Sequence, residues 1–118
     1  MSKDMPIVSR WRCGLLPVEN IMYINYNYRK ADIHTREEDL TVYCSRSEVE
    51  EYLDGRFRNC MKNLVVNFDE VNRIDNGVIY FKNGEELRLG RNNYIKARQN
   101  FAAYMKNSKK LLANVQLL

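Results

Sequence analysis

Apolar positions in the first half of the chain come in short bursts or alternate with polar ones, and do not recur at helical spacing. Ile21-Met22-Tyr23-Ile24 is apolar and β-prone, and Asn25-Tyr26-Asn27-Tyr28 continues it with polar and aromatic residues in alternation. This predicts a strand with Tyr26 and Tyr28 on a half-buried face. Ala31 to Thr35 predicts a second strand, Arg36 to Asp39 a charged turn, and Leu40 to Cys44 a third strand. Leu64-Val65-Val66, Val71 to Ile74, Val78 to Phe81 and Glu86 to Leu89 predict further strands. Asp75-Asn76-Gly77 and Lys82-Asn83-Gly84 each end in Asn-Gly, the pair suited to the positive φ of type I′ hairpin turns.

Two segments break the β pattern. Ser45 with Glu48, or Ser47 with Glu50, can form a capping box. Val49, Tyr52 and Leu53 then share one face, and Gly55 could close the helix in the left-handed conformation after about two turns. Tyr94, Ala97, Phe101 and Tyr104 recur at helical spacing and predict a helix from about Asn93 to Met105. Asn107 to Lys110 should break it, and the apolar segment Leu111 to Leu118 is expected to dock on the domain, the alternative being an oligomer contact. The chain thus reads as mainly β, an array of hairpins with a short middle helix and a C-terminal helix. No internal repeat and no linker divides it.

Composition changes this picture little. The 118 residues suit one domain, and 45% hydrophobic with 29% charged residues is ordinary for a globular protein. No apolar run approaches a membrane span, and residues 1–6 lack a signal-peptide core, so a cytoplasmic location is expected. Cys13, Cys44 and Cys60 are odd in number and widely spaced, which suggests packed, reduced thiols. The net charge of +4 is a modest basic excess whose placement matters more than its size.

Enzyme chemistry finds no support. His34 is the one histidine, so no histidine metal cluster can form, and its place beside Ile33 suggests a structural role. No phosphate-binding glycine loop, nucleophile elbow or C-x-x-C occurs. Asp69-Glu70 and Glu37-Glu38-Asp39 read as solvated turns. No cofactor, metal or small-molecule substrate is expected.

Basic and amide side chains concentrate at three places: Asn27 to Lys30; Arg56 to Asn63; and Arg88 to Asn93. Arg forks onto guanine, Asn pairs with adenine, and Lys neutralises phosphate. The same residues would also serve as ordinary solvated turns.

A wider pattern favours DNA. Ile21-Met22-Tyr23-Ile24, followed by Ile33-His34-Thr35, resembles the opening of a LytTR domain. Phe57 to Asn67 is similar to that family's F-x-R-x-H-[RK]-S-x-x-V-N segment, and Val71 to Ile74 and Gly84 to Arg91 resemble the strands and helix start that follow. The resemblance covers roughly residues 17 to 105. It implies an elongated stack of small antiparallel β-sheets, with inter-strand loops and no recognition helix entering the DNA grooves. It also implies base-reading side chains at Arg29 with Lys30 adjacent, at Lys62, and at Asn92 beside Arg91. Arg58, Asn63 and Asn93 complete the candidate DNA-binding set. On this reading residues 1–16 are an N-terminal extension, 17–106 the DNA-binding domain and 107–118 a C-terminal tail.

The chain departs from the family pattern at Asn59 and Met61, where Arg and His are usual, and at Asn63 and Gly90, where Ser is usual. Met61 cannot make a histidine's polar contact. Cys60 falls where some members carry Cys, but the partner position of redox-sensing relatives falls near Leu87, so a redox switch within one chain is not expected. Met1 and the absence of room for a receiver domain before Pro17 suggest a stand-alone regulator. Family habit implies double-stranded DNA as partner, weak homodimerisation on paired repeats, and in some relatives a membrane-protein inhibitor. Two other classes fit the residues: a β-rich protein-interaction module, and a single-strand or RNA binder using Tyr26 or Tyr28. Asn67 is expected to satisfy backbone groups at a strand end, Phe57 and Leu64 to be core, and Trp11 to anchor the N-terminal segment. Lys96 and Arg98 suit either phosphate contact or solvation.

Overall fold

The computed structural model describes residues 3–10 and 12–108. Its central element is a five-stranded antiparallel sheet in which β3 (Ile21–Asn27), β4 (Lys30–Thr35), β5 (Asp39–Tyr43), β6 (Phe57–Met61) and β7 (Leu64–Asn67) lie in the order β5-β4-β3-β7-β6. Both faces of this sheet are covered, and each covers a separate core. One face packs on the hairpin of β1 (Asp4–Val8) and β2 (Cys13–Pro17) and on α1 (Arg46–Glu50). Met5, Ile7, Leu16, Ile24, Ile33, Val49 and Val65 meet there. The opposite face packs on a three-stranded sheet of β8 (Val71–Asp75), β9 (Val78–Phe81) and β10 (Glu86–Arg88), and on α2 (Arg91–Ser108). Met22, Leu64, Val66, Phe68, Ile79, Phe81, Ala97 and Phe101 meet there. The layers stack into a body of 52 × 30 × 24 Å.

This arrangement explains the pattern of β7. A strand with one solvated face alternates apolar with polar, whereas a strand covered on both faces is apolar throughout. Leu64, Val65, Val66 and Asn67 are all buried. Strand β3 serves both cores through a register shift between Ile21 and Tyr23, which lets Met22 face the second core while Ile21 and Ile24 face the first.

The turns follow local chemistry, with two corrections. Asn76 (φ 53°) and Gly77 (φ 78°) both take the left-handed conformation between the paired residues Asp75 and Val78, as a type I′ turn requires. The second Asn-Gly does not repeat it: only Gly84 (φ 96°) is left-handed, in a three-residue loop closed by Phe81 N–H donating to the Glu85 carbonyl at 2.9 Å. Gly55 is not left-handed either, and α1 is a single turn. Ser45 caps it, accepting from Glu48 N–H at 3.3 Å while its hydroxyl donates to Glu48 Oε1 at 3.0 Å.

Other expectations also meet corrections. Tyr26 is buried in β3, but Tyr28 lies outside the strand, in the turn, and is 92% exposed. Glu70 is buried rather than solvated, and receives a bidentate pair from Arg36 at 2.6 and 2.7 Å. Residues 4–8 and 13–17 form a hairpin that contributes to a core. Helix α2 starts at Arg91 and continues through the break expected at Asn107, as far as Ser108. Trp11 and Leu111 to Leu118 lie outside the described residues.

Candidate nucleic-acid interface

Antiparallel pairing gathers the basic segments at one end of the central sheet. Asn27 pairs with Lys30 and leaves Tyr28-Arg29 as a two-residue turn between β3 and β4. Met61 pairs with Leu64 and leaves Lys62-Asn63 as the turn between β6 and β7. Because β7 is antiparallel to β3, with Asn25 opposite Leu64, both turns emerge at the same end. Two strand spacings separate them, about 10 Å. Lys30 stands at the first position of β4, opposite Tyr43 of β5. The third segment joins from α2: Asn93 and Lys96 line a groove with Asn59, Met61 and Lys62. Arg91 and Asn92 occupy the exposed first turn of α2, so this cluster begins the helix and does not precede it.

The backbone of each turn is pinned. Cys44 N–H donates to the Arg29 carbonyl at 3.0 Å, and Tyr26 N–H donates to the Asn63 carbonyl at 2.8 Å. Arg46, a residue that the sequence reading passed over, donates from Nη1 to the Lys62 carbonyl at 2.8 Å. Its guanidinium also pairs with Glu50 and lies 4.6 Å from the centre of the Tyr26 ring. Tyr26 is buried by this packing, and desolvation holds its phenol well above its usual pKa. Among the described residues, none of Arg29, Lys30, Lys62, Arg91 and Lys96 takes part in an ion pair. The turns are thus fixed in place while their cationic side chains remain available to an anion.

Arg58 stands apart from this group. It is the second residue of β6, about 13 Å of strand from Lys62. Its Nε donates to the Gly55 carbonyl at 2.8 Å, and its guanidinium lies 6.0 Å from the Tyr104 ring. It lines a separate groove with Asn59, Asn100 and Asn107.

Tyr28 is the unusual residue of the site. Its φ of 58° is a left-handed conformation that bulky residues rarely adopt and that costs on the order of 1 kcal/mol or more. Arg29 lies 5.8 Å from its ring centre. Tyr28 and Tyr43, the latter 81% exposed, line an open cleft with Arg29, Cys44, Ser45 and Arg46.

The remaining polar side chains support the scaffold. His34 Nδ1 lies 2.9 Å from Asp39 Oδ1, and the imidazole stacks on Tyr23, with centroids 4.2 Å apart. Asn67 donates to the Ile21 carbonyl at 2.8 Å and accepts from Asp69 N–H at 3.0 Å. Cys60 is buried beside the Lys62 turn, and burial pushes its thiol up to about 12. No group of three or more His, Cys, Asp or Glu side chains among the described residues could hold a metal ion. No helix among them is long and apolar enough to cross a membrane.

A layered, mainly β scaffold with fixed basic turns at one end defines a module suited to a polyanion. The family model for the LytTr DNA-binding domain matches residues 12–102, and the chain belongs to that family. The fold is also that of a solved structure, a LytTr DNA-binding domain from Bacillus cereus. That likeness has a TM-score of 0.61 at 18% identity and covers 91% of this chain and 96% of the other. The comparison with curated proteins returned no match.

Proposed function

We propose that this protein is a transcription regulator that reads a specific duplex DNA sequence through the turns at one end of its central sheet. Arg29, Lys62 and Asn92 contact base edges, with Lys30, Asn63, Arg91, Asn93 and Lys96 beside them on bases or phosphates. Arg58 stands at the outer margin, where it meets phosphate. The observation that carries this reading is the pinning of each basic turn by its backbone carbonyl. A reader of DNA benefits from side chains whose attachment points are fixed before binding, because less freedom is then lost on docking. Two copies bind paired repeats, with weak dimerisation driven by the site.

Lys62→Ala is the direct test, with affinity followed against salt concentration. A base contact predicts a loss of about 1–3 kcal/mol for the specific duplex, and a phosphate contact predicts a salt slope reduced by about one. Unchanged affinity together with unchanged slope would contradict the role given to Lys62.

A further inference from the structure

The reading of DNA by the Arg29 turn leaves one feature unexplained. A tyrosine occupies the turn position that local chemistry would give to Gly or Asn. Its ring has almost no contact with the fold, and its left-handed backbone makes it a worse choice for stability than asparagine, which tolerates this conformation. The fold therefore gives no reason for tyrosine here. The ring does have a defined neighbour, the Arg29 guanidinium, and the turn that holds both is fixed by the bond from Cys44 to the Arg29 carbonyl.

We propose that Tyr28 determines specificity by placing its ring against the 5-methyl group of a pyrimidine next to the base read by Arg29. This rests on the reading of Arg29 as a base contact. In the major groove thymine differs from cytosine at an apolar methyl group, which an apolar side-chain surface can recognise. An arginine forked onto guanine O6 and N7 lies near the plane of that base. A ring packed beside the guanidinium is thereby carried to the neighbouring step, where a methyl group projects into the groove. Tyr28 and Arg29 together would then read a two-base step of pyrimidine and guanine.

The test uses a duplex that the whole protein selects from a randomised library. Each thymine of the site is replaced in turn by uracil, which removes only the methyl group. For the unaltered protein, one replacement next to a guanine should weaken binding about fourfold, the usual worth of one buried methyl group. Tyr28→Phe should retain that discrimination. Tyr28→Asn should abolish it, binding the thymine and uracil duplexes equally, while its melting temperature rises because the turn is relieved. The proposal is overturned if no thymine shows the effect, or if Tyr28→Asn still tells thymine from uracil. If no duplex is selected at all, the parent reading fails with it. A selected site that is indifferent to Tyr28 refutes this inference alone.

Discussion

Asn67 joins two parts of the fold through one buried side chain. It has no exposure to solvent, its amide donates to Ile21, and its carbonyl oxygen caps the short helical turn 68–70. Asn67→Ala would leave the Ile21 carbonyl and the Asp69 N–H without these partners. We expect a loss of about 1–3 kcal/mol in urea unfolding. A loss below a few tenths would mean that water or relaxed backbone replaces the amide. This role was legible in the sequence because Asn67 ends an apolar run. Glu70 was not legible in the same way, since its partner Arg36 lies 34 residues away. Tyr28 was misread because alternation continues past the end of β3, and alternation alone does not mark where a strand gives way to a turn.

At the scale of elements, hairpins announced by Asn-Gly were the easiest to read. The Asn76-Gly77 turn took its expected form, whereas at Asn83-Gly84 loop length selected a different one. Strand β6 was missed because Arg58, Asn59 and Met61 are exposed and a register shift between Asn59 and Met61 disrupts its alternation. Strands β1 and β2 were missed because Pro6, Gly14 and Pro17 interrupt their apolar pattern. The three basic clusters were visible in sequence, but Arg46 was not, because it acts through a carbonyl 16 residues away. Arg46→Met tests that link. It removes the bond to Lys62, together with the Glu50 pair and the guanidinium over Tyr26, while keeping an unbranched apolar side chain. Specific affinity should fall by about 1 kcal/mol, the net worth of one hydrogen bond. The salt slope should be unchanged, because no phosphate contact is assigned to Arg46. A reduced slope would instead make Arg46 a phosphate ligand.

At the scale of the molecule, a net charge of +4 says little, because the excess is small and salt screens dispersed charge. What matters is that one end of the central sheet holds the turns of Arg29 and Lys62, with the start of α2 beside them. The stacked, mainly β architecture could be anticipated from the family pattern, while the division into two cores on opposite faces of one sheet could not. Only the topology shows that β7 is covered on both sides. The most direct measurement of the central claim is selection of duplexes from a randomised library by the purified protein at near-physiological salt. The account predicts enrichment of one short motif, repeated at a spacing of about one helical turn. Folded protein that enriches no motif would contradict it.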